Sequence, residues 1–296
     1  MIEFHADDYG LFPEQSKRIL ACRSGGVLNG TSLMPNSEHL AECLEMLRLY
    51  ADGMRLTVHL NLLEGASLCP AEELPLLVDA KGVFRVPFLT LLLAPLSRKR
   101  DEYRRELRSE LRAQIWAVQP FLAELGAPLR LDGHAHWHML PIVFDALMDV
   151  IREDELPVRY IRMPSEPLSL YLHHLVRIFP FHPINLVKTA LLRILCRRNR
   201  RRYRKELAGL EHSLFMGVLF SGGFTLEKFR LLLPDAMRMA KRRGWDLELL
   251  AHPGAVYEPE DVRALTSRDD VVFLTSPARE KEAAALISLK EDDYAD

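Results

Sequence analysis

The sequence predicts an α/β fold, a distorted (β/α) barrel of the TIM-barrel kind with inserted helical segments. Three observations carry that expectation. Short apolar runs that suit buried strands alternate with longer stretches of helical period, the runs are numerous enough for a barrel, and the residues with chemical potential come directly after them. The length of 296 residues suits a single barrel domain spanning 1–296.

Strands are expected at residues 2–6, 28–33, 55–60, 129–132, 160–163, 214–219, 246–251 and 271–274, with helices at 38–50, 99–125, 142–153 and 226–243 between them. The clearest helix is 99–125, where Tyr103, Leu107, Leu111, Ile115 and Val118 recur at three- and four-residue spacing among charges. Two segments read as insertions on this frame. Residues 62–96, rich in Pro and Leu, carry a turn at Asp79-Ala80-Lys81-Gly82 and are placed to fold over a site at the barrel mouth. Residues 167–210 contain a helical apolar stripe, Ile184, Val187, Leu191, Ile194 and Leu195, followed by a basic run at 197–205. The first reading of the stripe is a helix packed on the barrel or on a partner chain, which allows a homodimer. Together with the basic run, 184–205 also allows peripheral contact with an anionic membrane.

Composition narrows the class. With 48% hydrophobic and 27% charged residues the chain has the make-up of a folded globular protein. A net charge of -2 gives no general attraction to nucleic acid. Cys22, Cys43, Cys69 and Cys196 have no CxxC spacing and read as reduced thiols of a cytoplasmic protein. The N-terminus lacks the pattern of a signal peptide, and the longest approach to a membrane span, 170–196, is broken by His, Arg, Lys and Pro. The expected location is therefore the cytoplasm, at most peripheral to the membrane.

Four places carry chemistry. His5-Ala6-Asp7-Asp8-Tyr9-Gly10 follows the first strand, and two adjacent carboxylates need a cation or donors to offset their charge if buried. Taken alone, such a pair more often caps a loop or helix. His59 interrupts an apolar run near its end. Leu131-Asp132-Gly133-His134-Ala135-His136-Trp137-His138-Met139-Leu140-Pro141 sets three histidines at alternate positions after another strand, which brings them to one side if the segment is extended. His252-Pro253-Gly254 again follows an apolar strand at once. Each place lies at the carboxyl end of an expected strand, the rim where parallel α/β folds build their sites. A divalent-metal site is the chemistry this cluster fits.

These motifs resemble the YdjC-like carbohydrate deacetylases, the family that includes chitooligosaccharide deacetylase and the hopanoid-associated deacetylases. The likeness runs through His5-Ala6-Asp7-Asp8-Tyr9-Gly10, Val58-His59-Leu60, Leu131 to Pro141 and His252-Pro253-Gly254, in that order. It departs at His5, where the family has Asn, at Tyr9, where it has Phe, and in 167–210. The resemblance implies a distorted (β/α) barrel with Asp8, His59 and His134 as metal ligands, Asp7 as general base and His252 as general acid. His136 and His138 would stand behind the ligands or touch substrate. Arg162, at another strand end, would hold Asp7 ionised or bind a sugar hydroxyl, an ordinary structural ion pair being an equal alternative.

The implied activity is removal of an N-acetyl group from an amino sugar or glycan, lipid-linked ones included, with one divalent ion, Mg or Zn. Two other classes are carried beside it. A metal-dependent phosphoesterase would use a similar rim, and a metal-stabilised sugar- or lipid-binding protein would not turn over.

Overall fold

The structure, a computed structural model, describes residues 1–172, 174, 177, 183–265 and 268–294. Seven strands, β1 (Ile2–Tyr9), β2 (Gly30–Leu33), β3 (Arg55–Leu60), β4 (Leu129–Gly133), β5 (Val158–Ile161), β6 (Ser213–Met216) and β7 (Asp246–Ala251), form one sheet in the order β5-β4-β3-β2-β1-β7-β6. Every pairing is parallel, and the sheet curls into a half-barrel with helices interleaved on its outside. No ladder joins β5 to β6 among the described residues. Tyr160 Oη and Ser213 Oγ bridge that seam at 2.6 Å, and the Glu211 amide donates to the Arg159 carbonyl at 2.9 Å.

The expected eighth strand is a helix. Residues 271–274 lie in Arg268–Leu274, where Leu274 is buried against Phe12 and Val256 while Val272 is exposed. A four-residue apolar run fits either element, and only part of this one faces inward.

The strands alternate in polarity, which is unusual for a parallel sheet covered by helices. Phe4, Ala6, Leu56, Val58, Leu60, Leu131, Leu247 and Leu249 face the helices and form the core. Their neighbours Glu3, His5, Asp7, Thr57, His59, Arg130, Asp132 and Glu248 are also buried, on the opposite, inner face. The barrel interior is thus a charged network. Glu3 binds Arg130 at 2.7 Å and Arg55 at 3.0 Å, and Arg162 binds Glu248 at 2.6 Å. Such burial is tolerable because each ion has a partner at hydrogen-bond distance. Gly30 makes room for it: a Cβ there would lie 2.7 Å from His5 Nδ1 and 2.8 Å from Glu3 Oε1. Gly30→Ala is expected to destabilise the protein by about 1–3 kcal/mol. In a urea titration that appears as a lower midpoint with an unchanged slope.

The helix Arg100–Glu124 does more than cover the sheet. Its apolar face, Leu107, Leu111, Ile115 and Val118, is buried as the periodicity predicts. Its buried polar residues clamp the 62–96 segment. Glu110 accepts from the Leu68 and Cys69 amides, Glu106 from Leu76, and Gln114 holds the backbone of Asn61 from both sides. The turn expected at Asp79–Gly82 is present, with Asp79 Oδ1 accepting from the Lys81 and Val83 amides.

The apolar stripe of 184–195 packs on the barrel only in part. In the helix Pro183–Arg202, Leu195 packs inward, but Ile184, Val187 and Ile194 face outward. Asn185, Thr189 and Asn199 share the inward positions with Leu192, Leu195 and Cys196. The remainder of the 167–210 segment falls partly outside the described residues.

Candidate metal centre at the barrel mouth

Asp7 and Asp8 end β1, where the pairing with β2 shifts register between Ala6 and Tyr9. Asp8 has φ +68°, a left-handed conformation that few non-glycine residues adopt. That break lets neighbouring side chains share one pocket instead of pointing to opposite faces. Gln15 and Arg279 secure the break: with its amide oriented to satisfy both ends, Gln15 donates to the Asp8 carbonyl and accepts from Arg279.

Asp8, His59 and His134 come together, with one ligand atom from each lying within 4.8 Å of the others. His134 Nδ1 is 3.1 Å from Asp8 Oδ1, and His59 Nε2 is 3.6 Å from the same oxygen. His59 is oriented from behind. Its Nδ1 lies 2.7 Å from Asp132 Oδ1, and a carboxylate can only accept, so Nδ1 carries a proton and Nε2 is the nitrogen left for a cation, which would displace any proton there. That Nε2 is buried and has no hydrogen-bond partner. On the far side of His134, Nε2 is 3.1 Å from Glu64 Oε1.

Charge follows geometry. Burial works to raise the Asp8 carboxyl, but the His134 hydrogen bond, the nearby His59 imidazole and the Arg279 charge hold it well below the usual carboxylate range. Burial likewise opposes the Asp7 charge and is overcome chiefly by Arg162, whose Nη1 lies 2.9 Å from both Asp7 oxygens. Burial would depress His59, yet Asp132 and Asp7 push it up to about 9. A second acidic group, His5, Asp7 and Asp132, sits just inside the first. Arg162 Nη1 occupies it already, at 2.7 Å from Asp132 Oδ2, so the guanidinium takes the place a second cation would need.

The other expected residues divide. His252 is buried beside the carboxylates, its amide donating to Glu282 Oε2 at 2.7 Å and its ring edge-on to Phe273 at 5.2 Å. Its Nδ1 is unpartnered, and burial pushes it down to about 4. His136 and His138 do not join His134 on one side, because His134–Met139 is a tight turn instead of an extended segment. Ala135 and His136 have φ of +48° and +61° there, as the chain bends from β4 into the helix Pro141–Glu153. His136 is half-buried edge-on to Phe215 at 5.6 Å, with an unpartnered Nδ1. His138 is buried, and its Nε2 lies 2.9 Å from the Arg162 carbonyl, so it braces Arg162 from the backbone. Arg162 is wholly buried, which favours the role of holding Asp7 over contact with a sugar hydroxyl.

Sequence reasoning passed over Asp132, Glu64 and Arg279. Asp132 had a signal, since Arg130 and Asp132 alternate with leucines in β4 and so face the interior together. Glu64 and Arg279 had none, as each reaches the site through tertiary packing. Of the two departures at the first motif, His5 does bond beside the carboxylates, linking Glu3 Oε1 and Ser32 Oγ at 2.7 Å each. Tyr9 does not; its hydroxyl donates to the Cys43 carbonyl at 2.7 Å.

A family model described as YdjC-like protein matches residues 1–294. The chain belongs to the YdjC-like family. Relatives of this YdjC-like chain include a carbohydrate deacetylase of Thermoanaerobacter pseudethanolicus, 28% identical over 165 residues, which are 55% of this chain and 61% of that protein. A carbohydrate deacetylase of Xenopus laevis is 30% identical over 169 residues, 56% of this chain and 51% of that one. A chitooligosaccharide deacetylase of Yersinia enterocolitica is 27% identical over 170 residues, 57% and 62% of the two chains. The matches therefore span roughly half to three-fifths of these relatives' lengths. A crystal structure from Enterococcus faecalis V583 shares the YdjC-like fold, with a TM-score of 0.66, 19% identity, and coverage of 97% of this chain and 90% of that one.

Proposed function

We propose that the protein hydrolyses the N-acetyl group of an amino sugar or glycan, using a divalent cation, Mg or Zn, held by Asp8, His59 and His134. The observation that carries this reading is His59 Nε2, buried without a hydrogen-bond partner beside a carboxylate and a second imidazole. Two imidazoles and one carboxylate suit a divalent ion and leave coordination positions open. A cation there would polarise the acetyl carbonyl and acidify a water molecule. The relatives named as carbohydrate deacetylases supply the substrate class.

The chain's own residues then move the protons. Asp7, kept ionised by Arg162, accepts a proton from the attacking water, and the same ion pair limits how basic it is. The departing nitrogen needs a proton before the C–N bond breaks. His252 faces the site with an unpartnered Nδ1 but rests neutral, because burial holds it near 4. It therefore takes up a proton from solvent during turnover and passes it to the nitrogen, while Asp7 later releases the water proton to solvent. Arg162 keeps Asp7 and Asp132 in register with the ligands. Phe273 and Phe215 pack edge-on against the His252 and His136 rings.

The test is acetate release from a panel of N-acetylated mono-, oligo- and lipid-linked sugars, beside phosphate release from generic phosphate esters. The expected result is acetate release that a chelator abolishes and added Mg or Zn restores. Phosphate release without acetate release would assign the site to phosphoester cleavage. Sugar binding without either product would make the protein a binder.

A further inference from the structure

The helix Pro183–Arg202 splits its apolar residues between two faces, with Leu192, Leu195 and Cys196 packed in the core. Asn185, Thr189 and Asn199 are buried, whereas Ile184, Val187 and Ile194 are 57%, 61% and 61% exposed. The two inward asparagines are anchored, Asn185 Nδ2 donating to the Leu219 carbonyl at 3.2 Å and Asn199 Nδ2 to the Met139 carbonyl at 3.0 Å. Rolling the helix to hide its apolar face would orphan those buried amides, so the exposure is built in. Scattered apolar residues on a surface are ordinary; a stripe on one helix face is not.

Charge is concentrated on the same segment. Residues 183–205 contain nine Lys and Arg and no Asp or Glu, in a chain of net charge -2. Several of these are committed to the fold. Arg198 and Arg202 pair with Asp145, Arg193 donates to the Glu166 carbonyl, and Arg200 lies over the Trp245 ring. Lys188, Arg197 and Arg201 are exposed, with no ion pair among the described residues. Val187, Ile194, Arg197 and Arg201 recur at helical spacing, so the basic groups continue the apolar stripe.

A second patch of the same make-up stands nearby. In and after the helix Phe88–Leu93, Leu89, Leu93 and Leu96 are exposed, the last at 86%, and exposed Arg98 and Lys99 follow. Both patches flank the turn that carries His134. Phe88 packs edge-on to Trp137 at 5.6 Å on one side, and Asn199 binds Met139 on the other.

We propose that these two patches form a docking surface for an anionic lipid bilayer, with the apolar side chains entering the interface and the basic ones meeting acidic headgroups. A second copy of the chain fits the face less well. A two-fold contact through this face would set basic groups of one copy against basic groups of the other. The contact is peripheral, as no helix among the described residues is long and apolar enough to cross a membrane.

The test is co-sedimentation of the full-length protein with vesicles of phosphatidylcholine alone or mixed with phosphatidylglycerol. The proposal predicts salt-sensitive binding to the mixed vesicles and little to the neutral ones. V187E/I194E should weaken partitioning about tenfold or more, and R197E/R201E should do the same. Both variants should keep the wild-type melting curve and acetate release from a soluble sugar, and the second guards against a folding defect in the first. Absence of binding to mixed vesicles, or binding that both variants retain, would overturn it. So would light scattering that shows a dimer which V187E/I194E converts to monomer, since the face would then belong to a second copy. The readout is vesicle binding, so it stands or falls apart from the hydrolytic reading.

Discussion

Asp7→Asn should lower acetate release by about 10²- to 10⁴-fold, the usual contribution of a positioned base, while the protein keeps its cation. The substitution is nearly isosteric and removes only the charge that takes the proton. Arg162 keeps Asp132 at 2.7 Å and Glu248 at 2.6 Å, so the interior network survives. Asp8, His59 and His134 are untouched. Single-turnover acetate release measured beside metal content separates the two effects. Near wild-type turnover would place the base elsewhere.

The second large effect is loss of the cation itself. His59→Ala should abolish both metal binding and turnover, because it deletes a ligand nitrogen that is buried and without a partner among the described residues. Asp132→Asn should lie between the two variants. Asp132 fixes the His59 tautomer through Nδ1 at 2.7 Å, and losing such a partner typically costs about 10- to 100-fold in metal affinity. Calorimetric titration with Zn²⁺ reads both. Full affinity in Asp132→Asn would show that His59 is oriented by packing alone.

Much of the frame was legible because local pattern and tertiary role coincide. The strand pieces at 55–60 and 246–251 and the helix at 226–243 match β3, β7 and Leu226–Arg243. That helix announces its own ends, with Thr225 capping the Lys228 amide and Gly244 left-handed at φ +65°. The sequence also alternates Glu3, His5 and Asp7 with Ile2, Phe4 and Ala6, a pattern that signals a polar barrel interior. Residues 271–274 misled because four apolar residues carry no period.

The histidines show where pattern stops. Alternate spacing at His134, His136 and His138 brings side chains together only in an extended chain, and two left-handed residues in that turn separate them. Backbone strain of this kind has no sequence signature at Ala or His. Arg279 lies 271 residues from Asp8 along the chain, and Glu64 reaches His134 only because Asn36 and Asn61 hold its loop. The apolar stripe at 184–194 has the period of a core helix; the anchored Asn185 and Asn199 decide which face turns inward.

The most direct test of the metal centre is an anomalous difference map from a crystal grown with Zn²⁺. The account predicts one strong peak bonded to His59 Nε2, the Asp8 carboxylate and His134, with Asp7 beside it and none of its oxygens replacing these ligands. A peak among Glu3, His5 and Glu248, or no peak at the barrel mouth in metal-loaded protein, would contradict it.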